Sequence, residues 1–328
     1  MRAGPGVVAA FALFLAAAVA AQTWQPPRHT MPPPLPGASP ADLQASADAG
    51  MEIERSRLPA DELAEHRRID AALRALLPQR SGIVDAYVVS IGLDSDPVFG
   101  REARAAGEVL ERRYGARGRT IVLAGTDGSG PSRLPRGTPR SLGLTLARIA
   151  ELIDREEDVL ILYTTSHGTP FGIFYQDADS GYGLISPRRL AGMLDQLGLS
   201  NRLIIIGACY SGIFVPRLQS ATSAIVTASS SERTSFGCAA ENDWTFFGDA
   251  MINHALRGPR PLGAAFAEAS SLIMVWEAQV RTMPSQPQIF LGAGTARWLG
   301  TLEQRLPPAT APTGRPALET TRAAMRAK

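Results

Sequence analysis

Apolar positions along this chain alternate between two rhythms. Short unbroken runs of branched aliphatics read as strands buried on both sides: "GIVDAYVVSIG" (82–92), "RTIVLAG" (119–125), "DVLILYTTSHG" (158–168), "RLIIIGAC" (202–209), "SAIVTASS" (223–230) and "PQIFLG" (287–292). Between them lie stretches whose apolar residues recur at helical spacing. The first, "FGREARAAGEVLERRYG" (99–115), ends at Gly115, and Thr138 with Pro139 opens the next, "PRSLGLTLARIAELIDREE". Ser186-Pro187 opens a third that runs to Leu197, and "SGIFVPRLQS" is a short one with an internal proline. "DWTFFGDAMINHAL" (243–256) and "GAAFAEASSLIMVWEAQV" (263–280) complete the set. Strands alternating with helices predict an α/β fold over 81–300, a mostly parallel sheet with helices on both faces in a three-layer sandwich. One insertion, "TPFGIFYQDADSGYGLI", departs from the rhythm and reads as a hairpin turning around 177–181.

Outside that domain the pattern changes. In "DELAEHRRIDAALRALL" (61–77), Leu63, Ile69, Leu73 and Leu76 share a helical face that Pro78 ends, which predicts an N-terminal helix within 60–80. Residues 22–59 are rich in Pro, Ala and Ser and read as a linker, and residues 301–328 read as a disordered tail. At the start, Arg2, an apolar run over 7–19 and small residues at 18–21 form a secretory signal pattern covering 1–21. Cleavage there makes the mature chain an exported protein, periplasmic or secreted, with no stable membrane insertion.

Composition adds little that the pattern does not already imply. The 328 residues are 45% hydrophobic and 20% charged, which suits a globular domain. A net charge of +2 makes no case for nucleic acid as a partner. Cysteine usage matters more: only Cys209 and Cys238 are present, and export would permit a disulfide between them.

The chemistry lies at two strand ends. "LILYTTSHG" finishes in His167-Gly168 and "LIIIGAC" in Ala208-Cys209. In open α/β sheets, ligands bind at the carboxyl ends of the strands. If the two strands are neighbours, imidazole and thiol meet over one edge. A thiol needs a base or a lowered pKa to attack a carbonyl, and histidine suits that proton transfer. The backbone N–H groups of Gly168 and Cys209 are then candidate oxyanion donors. A lone cysteine after an apolar strand is usually a packed thiol; its pairing with a strand-end histidine changes that reading. Chain order argues against a nucleophile elbow, because "GACYS" has Ser211 where the second glycine belongs and the only downstream histidine, His254, sits inside a helix. His29 lies in the linker and His66 in an exposed "EHRR" run, so neither is taken as catalytic.

A strand ending in His-Gly followed by one ending in Ala-Cys resembles the caspase-like cysteine peptidases. "YTTSHGT", "GACYSG" and the later "SFGC…WTFFGDA" are similar to the legumain family, which includes the catalytic subunit of the GPI-anchor transamidase. The resemblance spans about 82–292. It implies a caspase-like fold, a Cys209–His167 dyad working through a thioester acyl-enzyme, a peptide or protein substrate, and no cofactor or metal. Legumains prefer Asn before the scissile bond, through a pocket with an Arg and acidic partners. Here Arg101, Tyr210, Glu241 and Asp243 are the candidate substrate-binding residues, with Gly100 competing for the place of the pocket Arg and Tyr210 standing where legumains have an acid. Asp94 or Asp96 substitutes for the Asn that orients the histidine. Cys238 is read as structural, and Asp177 and Asp179 as turn residues rather than metal ligands.

The leading expectation is therefore a cysteine endopeptidase of the legumain type. Transpeptidation by the same dyad is a variant of it. The alternatives are a catalytically silent caspase-like binding or scaffold module, and a thiol protein with a structural Cys209–Cys238 bridge. An activation step that removes 22–80 is a further hypothesis, with the arm and first helix lying over the site.

Overall fold

Branched aliphatics in unbroken runs favour extended backbone and need cover on both sides, and the folded chain provides it. A computed structural model describes residues 24–31, 33–34 and 39–326; the expected signal segment 1–21 lies outside them. The elements are α1 (Pro40–Asp48), β1 (Glu52–Glu54), α2 (Pro59–Ala75), β2 (Ala86–Gly92), α3 (Pro97–Tyr114), β3 (Thr120–Leu123), α4 (Pro139–Leu152) and β4 (Val159–Thr165). They continue with β5 (Gly168–Thr169), β6 (Gly172–Asp177), β7 (Gly181–Ile185), α5 (Pro187–Gln196), β8 (Arg202–Gly207), α6 (Val215–Leu218) and β9 (Ser223–Thr227). A π-helical segment (Gly248–His254), α7 (Leu262–Val280), β10 (Gln288–Leu291), α8 (Ala296–Glu303) and α9 (Ala317–Arg326) complete the chain.

The main sheet has six strands in the order β10-β9-β8-β4-β2-β3, and only β10 runs antiparallel. Alternate residues of its strands feed two cores. Val88, Ile161, Tyr163, Leu203 and Ile205 face α3, the π-helical segment, α7 and α8. Tyr87, Val89, Leu160, Leu162, Ile204 and Ile206 face α2, α4, α5 and α6. This is the expected three-layer α/β sandwich. The inserted hairpin is β6–β7, part of a second, four-stranded sheet in the order β1-β7-β6-β5.

Two expectations need correction. The 22–59 linker holds α1, whose start carries a reciprocal Ser39–Asp42 capping box, and β1, which pairs Glu52 with Gly183 on β7. The 301–328 tail is ordered through Arg326: α9 forms, Ala317 is fully buried, and its N–H donates to Asp249 Oδ2 at 2.8 Å. Composition alone hid this segment, because hydrogen bonds to polar groups of distant elements hold it, with Ala317 and Leu318 as a small apolar contact with the core. Among the described residues no helix is long and apolar enough to cross a membrane.

Candidate active site

Register brings the two strand-end residues together. In the parallel β4–β8 pair, Thr165 stands opposite Gly207, so His167 and Cys209 each lie two residues beyond the last paired position. β2 flanks β4 on the other side and leads to Asp94 and Asp96. From β2 the chain reaches β3 on one side and β4 on the other, so the strand order reverses here, which is where an open α/β sheet forms its binding crevice.

Gly168 makes the approach of the two loops feasible. A Cβ there would lie 2.1 Å from the Cys209 carbonyl oxygen and 3.0 Å from its nitrogen, so no other residue fits without separating the strand ends. The Cys209 sulfur is half-buried and accepts the Ser235 backbone N–H at 3.2 Å. Burial pushes the thiol up from its ordinary range, and the N–H groups of Ser235, Cys209 and Gly168 partly offset that shift. The two expected oxyanion donors thus lie close enough to the sulfur to act on it. Tyr210 adopts a left-handed conformation (φ 57°) and donates its N–H to Arg233 O at 2.8 Å, which turns the chain sharply after Cys209.

His167 is half-buried, with its ring edge-on to Phe99 at a centroid separation of 5.0 Å. Burial lowers its pKa; Asp96 opposes that shift and His29 adds to it. Of the two aspartates considered as orienting residues, Asp96 is the one whose charge opposes the lowering of the imidazole pKa.

The candidate substrate-binding residues are only partly assembled. Arg101 lies 3.8 Å from Asp243, but its guanidinium donates to the backbone carbonyls of Asp127, Ala240 and Asn242. Asp243 is engaged by Arg315 from the ordered tail, through the guanidinium at 2.9 Å and the backbone N–H at 2.7 Å, and these contacts hold its carboxyl below the usual range. The Glu241 side chain is exposed, and its carbonyl accepts from Arg315. The cavity bordered by Glu241 and Arg315 includes neither His167 nor Cys209.

Several site residues escaped sequence reasoning. Glu102 is completely buried and accepts from the hydroxyls of Tyr163 and Thr165 and from the Thr245 N–H, tying α3 to the end of β4. Gly248 packs directly on that carboxylate. Ser211, read only as a missing glycine, exchanges hydrogen bonds with Ser229: each N–H donates to the other's hydroxyl, at 3.2 and 3.1 Å. His29, set aside as a linker residue, lies 3.3 Å from both Asp94 Oδ1 and Ser95 Oγ. Thr30 and Met31 hold it there by donating their N–H groups to Asp179 at the hairpin tip. Both cysteines are free thiols, so the structural bridge is not formed. Burial pushes Cys238 far up, and Cys209 contributes to the same shift. Asp177 pairs with Arg57 at 3.1 Å and Arg136 at 3.6 Å. The residues placed to hold a metal ion are instead His29, Asp94 and Asp96.

No curated protein sequence matches the chain. Among solved structures it is similar to caspase-1 from Spodoptera frugiperda, at 14% identity and a TM-score of 0.42, over 66% of this chain and 94% of that one. Residues 146–265, running from α4 into α7 and including both His167 and Cys209, match the model of the Peptidase C13 family. Over this segment, somewhat more than a third of its length, the chain is similar to the Peptidase C13 family.

Proposed function

We propose that the protein is an exported cysteine endopeptidase of the legumain type, with Cys209 as nucleophile and His167 as general acid and base. The observation that carries this reading is the shared register of His167 and Cys209 beyond Thr165 and Gly207. A neutral imidazole beside a protonated thiol is suited to take the proton as the sulfur attacks the peptide carbonyl carbon. The S–C bond forms, and the oxyanion draws on the N–H groups of Gly168 and Cys209. The C–N bond then breaks as His167 passes its proton to the leaving amine. Water, deprotonated by the same imidazole, hydrolyses the thioester and restores the thiol.

A peptidyl acyloxymethyl ketone tests the dyad, because displacement of its leaving group requires an activated thiol. One label on Cys209 in the wild type, and a loss of about a hundredfold or more in labelling rate in His167→Ala, is the expected result. Equal labelling of both proteins would refute the dyad. A second reading, a binding module without turnover, is favoured by the engagement of Arg101 with backbone carbonyls and of Asp243 with Arg315, which occupies two of the candidate specificity residues. Any turnover that depends on Cys209 excludes it.

A further inference from the structure

We propose that His29, Asp94 and Asp96 form a site for a divalent cation of the zinc class, which fastens the N-terminal arm to the rim of the crevice beside His167. This does not depend on the peptidase reading. Each of the three residues offers one ligand atom, and these atoms all lie within 4.8 Å of one another. Asp94 is the anchor: its side chain is fully buried, Oδ1 accepts the Asp96 N–H at 2.8 Å, and Oδ2 has no hydrogen-bond partner. A buried carboxylate oxygen without a partner is costly unless something positive faces it.

The deficit is specific to this cluster. Among the described residues the other buried acids are matched: Asp85 by Arg80 and Arg119, and Glu102, Asp158, Asp249 and Glu277 by hydrogen-bond donors, whereas Asp94 Oδ2 is left without a partner. Among the described residues, no arginine forms an ion pair with Asp94 or Asp96, whereas nearby Asp177 is held by two. The cluster therefore sets two carboxyl groups without an arginine partner beside His29, and one of them, Asp96, also acts on His167.

The spacing also suits a metal. Zinc bonds nitrogen and oxygen ligands at about 2.0–2.2 Å, so neighbouring vertices of its tetrahedron lie about 3.3–3.6 Å apart. His29 Nε2 is 3.3 Å from Asp94 Oδ1 and 3.3 Å from Ser95 Oγ. The Asp96 carboxylate, with its ligand atom within 4.8 Å of the other two, would complete a nitrogen and two oxygens, with water or Ser95 in the fourth place. One imidazole with two carboxylates is a zinc-type donor set; magnesium and calcium favour six or more oxygens. A supporting shell is in place, because the N–H groups of Thr30 and Met31 on Asp179, and the Ala178 N–H on Ser95 Oγ at 2.8 Å, fix the arm and the hairpin tip around His29.

The test uses the chain from Gln22 carrying Cys209→Ala, so that the strand-end thiol cannot compete for the metal. After EDTA treatment it is titrated with zinc chloride by calorimetry. One zinc per chain is expected, with binding weakened about tenfold or more by His29→Ala and by Asp94→Asn. His29→Ala, on the half-buried arm, keeps the test valid if Asp94→Asn fails to fold. Trypsin supplies an independent readout, because the exposed Arg28 adjoins the clamp: zinc should slow cleavage after Arg28 in the parent and not in His29→Ala. Absence of stoichiometric zinc binding, or binding and protection unchanged by His29→Ala, would overturn the proposal.

Discussion

The Ser235 backbone N–H donates to the Cys209 sulfur at 3.2 Å, from a segment 26 residues further along the chain. This contact holds the half-buried sulfur in place, while burial pushes the thiol pKa up. Burial also lowers the His167 pKa. Both shifts are in the direction of the neutral members of the pair.

That state has a pH signature. A thiol whose pKa is raised on folding contributes stability fully below its unfolded value, near pH 8.5, and loses it as pH rises through the folded value. Iodoacetamide labelling of Cys209, followed by mass spectrometry, should accordingly be slow at neutral pH and climb without a plateau beyond about pH 9. Cys238, shifted further up, should label later. Rapid labelling of Cys209 that is already level at about pH 6 would indicate a preformed thiolate–imidazolium pair instead.

Gly168→Ala should separate the two loops. Its Cβ would meet the Cys209 carbonyl oxygen at 2.1 Å, an overlap that costs about 1–3 kcal/mol and displaces the reacting groups. Turnover should fall by about a hundredfold or more while the protein still folds. Gly143→Ala on α4, where nothing lies within 4 Å of the new methyl, should gain up to about 1 kcal/mol and keep full activity. Calorimetric melting and a peptidase assay compare the two.

Removing the Glu102 carboxylate should destabilise strongly. Glu102→Ala leaves the Tyr163 and Thr165 hydroxyls and the Thr245 N–H without their acceptor in a buried place. The expected loss is about 3 kcal/mol or more in urea unfolding, because buried donors left unpaired carry the full desolvation penalty. A loss below about 1 kcal/mol would show that the network is not holding α3 to β4.

The C-terminal segment should act as part of the fold. Deleting 307–328 removes Thr313 from Trp244 Nε1 and Asn253, and Ala317 from the buried Asp249. Stability should fall by about 2 kcal/mol or more. Arg315→Ala, which breaks solvent-facing contacts with Asp243 and the Glu241 carbonyl, should cost about 1 kcal/mol or less. Equal denaturation midpoints for the deletion and the full chain would contradict the ordered tail.

The strands were legible because their apolar runs are long enough to need cover on both faces, and the pairing of β4 with β8 follows once two such runs end in His-Gly and Ala-Cys. The hairpin was legible from Asp177–Gly181. His29 was not, since nothing in a Pro-rich arm indicates that Thr30 and Met31 will bind Asp179 across a separation of nearly 150 residues. The same holds for Arg315 on Asp243 and for Glu102 beneath Thr245: each is a polar contact between distant segments, without periodicity to mark it. The specificity residues were placed by resemblance, and Arg101 is instead engaged by carbonyls that sequence does not reveal.

The most direct test is cleavage of a fluorogenic peptide library, varied at the residue before the scissile bond, by the chain from Gln22 beside its Cys209→Ala variant under reducing conditions. The dyad account predicts turnover by the former and none above background by the latter, with the preferred residue defining the specificity pocket. Turnover that survives Cys209→Ala, or its absence from both the intact chain and one trimmed of the N-terminal arm, would contradict it.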